Sequence, residues 1–281
     1  MRSPLRLALA ATGLLSMLLA VPTTASAITE DEEPLEYVAM GDSYASLGTA
    51  STHYTDPATG CVRATDNYPS RLAEELAPDT FVDVTCAGAV TGGVLNSQLS
   101  ALTPDTDLVT LTIGGNDIGF GAIAATCGSD SLTNPLGSPC EQRFTTGGTD
   151  QLAARIGATA PKIDAVLAGI REHAPHAEIV VVGYLRILPP ALGCWPVVPI
   201  SVGDVPYLNG VQRGLNTMIG ERATAAGATF VNPGETTGHD ACQLLPWRKW
   251  IEGPFPILDA APMHPTAAGQ AHVADLVADT L

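Results

Sequence analysis

The sequence predicts an α/β domain in which helices cover both faces of a parallel β-sheet. Five apolar runs are short, rich in β-branched residues and nearly continuous, as strands buried on both faces tend to be. Helical patterns of apolar residues lie between these runs. Strands that alternate with helices favour right-handed crossovers, and therefore a doubly wound sheet.

The predicted elements alternate along the chain. The predicted strands cover residues 37–40, 81–84, 108–113, 179–183 and 229–231. The predicted helices cover residues 68–77, 151–173, 207–226 and 266–281, and Thr266 is the expected N-cap of the last one.

Three long segments rich in Gly, Pro, Ser and Thr interrupt this alternation, at 47–67, 118–150 and 186–206. Loops of this length inside one domain are usually functional or disordered. Each follows a predicted strand, so we expect all three at the carboxyl edge of the sheet, where they would wall a pocket. There is no repeat and no internal linker, so we predict one domain over residues 28–281.

The N-terminal segment has the pattern of a secretory signal peptide over residues 1–27. Arg2 and Arg6 precede an apolar run, and Ala25-Ser26-Ala27 forms a small-x-small cleavage site. The apolar run is about 15 residues long, which is short of the roughly 20 that span a bilayer. We therefore expect a secreted, extracellular protein without stable membrane insertion.

The charge balance is strongly acidic, with a formal net charge of −16. General electrostatics of this sign oppose binding to nucleic acid or to anionic membranes. An anionic substrate would need a specific basic pocket, and the sequence shows no basic cluster. We expect a monomer whose partner is a small molecule or a lipid rather than a nucleic acid.

An even number of cysteines in an exported chain indicates disulfides. Six cysteines allow fifteen pairings, and we favour sequence neighbours because each pair would fasten one long irregular segment to the scaffold. No two cysteines have the close spacing of zinc ligands, which disfavours a metal site. The expected pairs are Cys61–Cys86, Cys127–Cys140 and Cys194–Cys242.

Ser43 is the candidate nucleophile. It lies in Gly41-Asp42-Ser43-Tyr44, directly after the first predicted strand, where a turn can lift a side chain into a cleft. A serine hydroxyl needs an activating base. His264 in Met263-His264-Pro265 is the candidate base, because the proline restricts the backbone just before the last helix. His239, beside Asp240, is the strongest alternative.

Two glycine-containing turns are candidates for stabilising an oxyanion. Gly114-Gly115-Asn116-Asp117 follows the third strand, and the Asn116 amide there can donate to developing negative charge. Gly88, after the second strand, offers a backbone N–H by the same reasoning.

The order of these features resembles the SGNH, or GDSL-type, hydrolase family over essentially all of residues 28–281. The four signature residues of the family correspond to Ser43, Gly88, Asn116 and His264. The resemblance implies a flavodoxin-like three-layer sandwich with a five-stranded parallel sheet. It also implies a serine nucleophile and an oxyanion hole made by the Ser43 and Gly88 N–H groups with the Asn116 side chain. The secreted pattern with three expected disulfides resembles that of the actinobacterial lipases and esterases within the family.

The sequence departs from the family at one position. The family has an aspartate three residues before the histidine, and this chain has Ala261 there. A backbone carbonyl at Ala261 would be one substitute for orienting the imidazole, and Asp259 would be another. We favour the carbonyl, because the spacing to Asp259 does not match.

These observations predict a secreted serine esterase or lipase that hydrolyses carboxylic esters through an acyl-enzyme, with no metal or cofactor. Phospholipids or acetylated sugars are alternative substrates, and Trp195, Trp247 and Trp250 are candidates for stacking on a sugar or lining an acyl site. A non-catalytic binding protein on a hydrolase scaffold is the alternative from another class, since the aspartate is missing.

Overall fold

Seven strands form two sheets within the residues that the computed structural model describes, 34–281. The predicted signal peptide, 1–27, lies outside the described residues. The strands are β1 (Glu36–Gly41), β2 (His53–Thr55), β3 (Val62–Ala64), β4 (Thr80–Asp83), β5 (Leu108–Thr112), β6 (Glu178–Val182) and β7 (Thr229–Val231).

The main sheet has five parallel strands in the order β4-β1-β5-β6-β7. Tyr37 on β1 is in register with Phe81 on β4 and with Leu108 on β5. The predicted α/β fold with a five-stranded parallel sheet is confirmed. The chain runs outward in opposite directions from β1 and β5, so the gap beyond their carboxyl ends is the switch point where ligands bind in open α/β sheets.

Eight α-helices occur in the described part of the chain. Asp150 caps α6 by accepting the N–H groups of Leu152 and Ala153, and Thr266 caps α8 as the sequence predicts. The helices are α1 (Ser43–Ser46), α2 (Tyr68–Leu76), α3 (Thr91–Gly93), α4 (Phe120–Ser131), α5 (Pro139–Phe144), α6 (Gln151–His173), α7 (Val205–Ala225) and α8 (Ala267–Ala278).

The core lies between the main sheet and the helices packed against it. Helices α6 and α7 pack on one another, as do α2 and α8. The central strands β1, β5 and β6 are buried almost throughout, whereas Val82 on the edge strand β4 is exposed. Central strands covered on both faces explain why their sequences read as continuous apolar runs.

Two of the three segments expected to be irregular contain regular structure. Segment 118–150 carries α4 and α5, and segment 47–67 contains the antiparallel pair β2 and β3. Two disulfides tie segments 47–67 and 186–206 to other parts of the chain, whereas the third links α4 to α5 within segment 118–150, so the expectation that each pair fastens a segment to the scaffold is met by two of the three. The bridges are Cys61–Cys86, Cys127–Cys140 and Cys194–Cys242. Between residues 34 and 281, no helix is both long and apolar enough to cross a membrane.

Candidate active site

Ser43 is the first residue of α1, directly beyond the carboxyl end of β1. Gly41 makes the turn possible: its φ is +142°, and a Cβ there would lie 2.4 Å from the Thr112 carbonyl oxygen. The Gln98 side chain holds the same residue by hydrogen bonds to its N–H and its C=O. Asp42 caps α1 by accepting the Tyr44 N–H at 2.9 Å. The sheet edge therefore presents the Ser43 side chain from a fixed backbone.

The structure places His264 against Ser43, although 221 positions separate them in the chain. The distance from His264 Nε2 to Ser43 Oγ is 2.8 Å. The other ring nitrogen, Nδ1, lies 2.7 Å from the Pro262 carbonyl oxygen. An N–H at Nδ1 that donates to this carbonyl leaves Nε2 as the acceptor for the serine hydroxyl. His239 lies elsewhere, stacked on Trp250 with Nδ1 2.9 Å from the Arg248 carbonyl.

Neither of the two residues that we expected to orient the histidine is hydrogen-bonded to its imidazole, so this prediction is wrong. The Ala261 carbonyl accepts the backbone N–H of His264 at 3.2 Å rather than its imidazole. The Asp259 carboxylate accepts the N–H and the hydroxyl of Ser51. The carbonyl that faces the imidazole belongs to Pro262, and Met263, between these two residues, has φ +60°.

Burial lowers the pKa of His264 below its ordinary value, and the hydrogen bond to the Pro262 carbonyl opposes this only partly. The imidazole is therefore neutral near pH 7. A neutral imidazole with an unprotonated Nε2 facing a hydroxyl has the protonation state that a general base requires.

Asn116 and Gly88 lie on two loops that are hydrogen-bonded to each other. Asn116 Nδ2 donates to the Ala89 carbonyl at 2.9 Å, and the Thr91 N–H donates to Asp117 at 2.9 Å. Gly88 is exposed and has φ +83°. Within residues 34–281, the N–H groups of Ser43 and Gly88 donate to no protein acceptor. These contacts fix the Asn116 amide and leave two backbone donors and one amide hydrogen for a ligand.

Tyr184 links the loop of Ser43 to the loop of Asn116, and the sequence analysis missed it. Its hydroxyl donates to Asp42 Oδ2 at 2.6 Å and accepts the Gly115 N–H at 2.7 Å. Burial raises the pKa of Asp42 to about 7. The available signal was position, since Tyr184 follows β6 at the carboxyl edge of the sheet.

Tyr44 makes a second link, between α1 and the histidine segment. Its hydroxyl donates to the Met263 carbonyl at 2.7 Å, and its ring centroid lies 5.2 Å from that of His264. Burial raises the pKa of Tyr44 well above its ordinary value, so the hydroxyl stays protonated. Neither partner has a sequence signal that would predict this contact.

A largely apolar pocket opens beside Ser43, with a volume of about 810 Å³ including its open mouth. Segments 118–150 and 186–206 line it as expected, but none of its lining residues comes from segment 47–67. Helix α7, which was not expected to line it, forms another wall. The apolar lining includes Ile118, Phe120, Ile123, Ala124, Ile187, Leu188, Ile200, Leu208, Val211, Leu215 and Met263.

None of the three tryptophans lines this pocket. Trp247 is exposed, whereas Trp250 is stacked between His239 and His272. The expectation that they could line an acyl site is therefore wrong.

The profile of the GDSL-like lipase/acylhydrolase family matches residues 39–272. The chain belongs to this family. It is 38% identical over 288 residues to Lipase 2 of Streptomyces coelicolor, covering 97% of this chain and 94% of that protein. The predicted membership of the GDSL-type family is thus confirmed, and the chain is a lipase/esterase.

Two solved structures resemble this GDSL-like lipase/acylhydrolase closely. Phospholipase A1 from Streptomyces albidoflavus NA297 is 32% identical, with a TM-score of 0.74 over 89% of this chain and 100% of that one. The extracellular lipase from Streptomyces rimosus is also 32% identical, with a TM-score of 0.73 over 88% of this chain and 100% of that one. Both agree with the fold described above.

Proposed function

We propose that this chain is a secreted serine esterase that hydrolyses lipid esters through an acyl-enzyme. The observation that carries the proposal is the 2.8 Å contact between Ser43 Oγ and His264 Nε2, beside an apolar pocket that Ser43 lines. A hydroxyl paired with a neutral imidazole at that distance is the arrangement by which proteins activate serine.

In the proposed first step, Ser43 Oγ attacks the ester carbonyl while His264 Nε2 takes the hydroxyl proton. The imidazolium then gives this proton to the leaving alcohol, and the acyl group stays on Ser43. Water attacks the acyl-enzyme with His264 again acting as base, which releases the acid and restores the hydroxyl.

Three donors would stabilise the oxyanion that forms in both steps. They are the N–H groups of Ser43 and Gly88 and the amide of Asn116. Within residues 34–281 the two N–H groups donate to no protein acceptor, and one hydrogen of the Asn116 amide is free while the other fixes the side chain on the Ala89 carbonyl, which supports this role. Removal of one such donor typically costs about 2.7–4 kcal/mol of transition-state stabilisation.

The Pro262 carbonyl would hold His264 in the tautomer that the reaction needs. In serine proteases a carboxylate has this task, and loss of the correct tautomer costs about 10⁴-fold in rate. The 2.7 Å contact to Nδ1 supports a neutral substitute here. This substitute answers the argument that the absent aspartate marks a decayed, non-catalytic protein.

The apolar pocket favours an acyl chain over an acetylated sugar. Its lining contains many aliphatic side chains and few polar groups, and the three tryptophans considered for stacking on a sugar lie outside it. A phospholipid remains an alternative lipid ester, and one structural relative is a phospholipase A1. Secretion is supported by the predicted signal at 1–27 and by the three disulfides, and the Streptomyces rimosus relative is described as extracellular.

The test combines a fluorophosphonate probe with p-nitrophenyl esters of increasing acyl length. The probe should label Ser43, and His264→Ala should lose both labelling and at least about 10³-fold of kcat. The control variant Asp259→Asn should keep a kcat within about tenfold of the wild-type value, since the Asp259 carboxylate binds Ser51. Unlabelled Ser43 in an active wild-type enzyme would refute the mechanism, and ester hydrolysis at background rate would refute the function.

The acyl series tests the pocket. Each methylene that enters it should raise kcat/KM about fourfold, because burial of one CH₂ contributes about 0.8 kcal/mol. A maximum at acetyl would instead favour the sugar esterase.

A further inference from the structure

Two loop segments that precede His264 expose large apolar side chains outside the pocket. Leu244, Trp247, Phe255 and Ile257 are 78%, 72%, 71% and 69% exposed, and Leu245 is exposed as well. These five residues are called the apolar rim below. Exposed apolar side chains scattered singly need no explanation, but five within fourteen positions of one chain do.

One buried ion pair holds both segments of the apolar rim. Lys249 Nζ lies 3.0 Å from Glu252 Oε1, and both side chains are almost completely buried. The Glu252 carboxylate also accepts the N–H groups of Gly253, Ile257 and Leu258, which closes the loop that carries Phe255. The Lys249 N–H closes the turn at 246–248. The rim is therefore displayed on a fixed framework.

The apolar rim lies beside the histidine segment. The Met263 N–H donates to the Gly253 carbonyl at 3.3 Å, and the Glu252 N–H donates to the His264 carbonyl at 2.9 Å. Met263 itself lines the pocket. The loop of Phe255 and Ile257 thus starts one hydrogen bond away from the pocket wall.

The charge of this region differs from that of the whole chain. The net charge is −16, yet the carboxylates of Asp240 and Glu252 are buried and Arg248 is the one charged residue exposed between positions 241 and 258. Within this stretch no exposed carboxylate would be desolvated against a lipid surface, and the first exposed acidic residue after it, Asp259, has its carboxylate held by the N–H and the hydroxyl of Ser51. Trp247 next to Arg248 is a pair that suits the boundary between acyl chains and polar headgroups.

We propose that the apolar rim docks on the surface of a neutral phospholipid layer and brings the pocket mouth to the lipid. The inference rests on the proposed function, since it supplies the route by which a lipid ester reaches Ser43. Trp247, Phe255 and Ile257 would enter the layer, while Arg248 would stay at the headgroups. A fixed framework suits this task because the apolar side chains need no reordering on contact.

The test measures binding to vesicles of ether-linked phosphatidylcholine, which an esterase cannot hydrolyse. The wild-type protein should co-sediment with the vesicles, and its tryptophan emission should shift to the blue. Phe255→Ser/Ile257→Ser and Trp247→Ser should each weaken vesicle binding at least tenfold. Both should keep kcat/KM on a soluble p-nitrophenyl ester within twofold, which shows that the fold and the active site are intact.

The matched control is Leu132→Ser/Leu136→Ser, since these leucines are 70% and 81% exposed and lie outside the rim. It should bind vesicles as the wild type does. The proposal is overturned if the wild-type protein does not bind the vesicles or if the rim variants bind them as well as the wild type. It is overturned equally if the control variant loses as much vesicle binding as the rim variants. It is also overturned if the rim variants turn a dimer into a monomer in gel filtration. Failure of the proposed function would show separately, as absent hydrolysis of the soluble ester by the wild type.

Discussion

Replacement of Tyr44 by phenylalanine removes the hydroxyl that ties the serine helix to the histidine segment. That hydroxyl donates to the Met263 carbonyl at 2.7 Å, one residue before His264. Met263 has φ +60°, a conformation that residues other than glycine seldom adopt. A backbone held in such a conformation relies on its surroundings. We therefore expect the segment to shift when its anchor is lost.

The magnitude follows from the contact between nucleophile and base. Ser43 Oγ and His264 Nε2 are 2.8 Å apart, so a displacement of about 1 Å takes them beyond hydrogen-bond distance. Misplacement of that size costs about 10²-fold in rate. Because we expect the segment to shift by less than this full displacement, kcat should fall between about tenfold and a hundredfold. The unpaired carbonyl should also lower the free energy of unfolding by about 1–3 kcal/mol.

The assay compares Tyr44→Phe with Tyr37→Phe, using a soluble ester for kcat and urea titration for stability. Tyr37 also loses a buried hydrogen bond, to Thr110 at 2.8 Å, but lies about 13 Å along β1 from Gly41. Both variants should lose stability, and only Tyr44→Phe should lose kcat, with KM almost unchanged. An equal kcat in the two variants would show that the Tyr44 hydroxyl does not position His264.

Protonation of His264 and loss of the Glu252 carboxylate should each have a measurable effect. Burial lowers the pKa of His264 below its ordinary 6.5, and the proposed base must be neutral, so kcat/KM should fall only as the pH drops below 6.5. An acid limb centred above pH 7 would contradict this. Glu252→Gln leaves Lys249 buried without a counter-charge and should lower the free energy of unfolding by about 3–5 kcal/mol in urea. The control is Asp130→Asn, which breaks the exposed pair with Arg143 and should lower the free energy of unfolding far less. An equal loss of stability in the two variants would contradict this prediction.

The main sheet could be predicted because its strands are covered on both faces and leave a continuous apolar pattern. Helix α4 could not, since it starts after Gly119 without a capping side chain and consists largely of small residues. Helix α7 starts at Val205 rather than at the expected 207, because Pro206 is tolerated in the first turn of a helix. Helix α4 was therefore missed because its start carries no usual sequence signal.

In the candidate site, too, some features could be predicted from the sequence and others could not. Ser43 and His264 are marked by their places in the chain, one after a strand and one before a helix. The carbonyl that faces the imidazole is decided by the backbone angles of Met263, and a single sequence does not contain them. The links made by Tyr44 and Tyr184 depend on tertiary packing, so their hydroxyl partners become visible only in the folded chain.

A neutral orienting group has a consequence for the proposed chemistry. In a triad, the carboxylate stabilises the imidazolium that forms in the transition state. The Pro262 carbonyl is only a dipole, and its hydrogen bond raises the pKa of His264 by less than burial lowers it. A weaker base takes the serine proton less favourably but stays neutral over a wider range of pH. The Tyr44 ring is centred 5.2 Å from the imidazole at a tilt of 44°, within the distance at which an aromatic ring attracts a cation. Since Tyr44→Phe keeps this ring, that variant removes the positioning contact of the hydroxyl while leaving the electrostatic one in place.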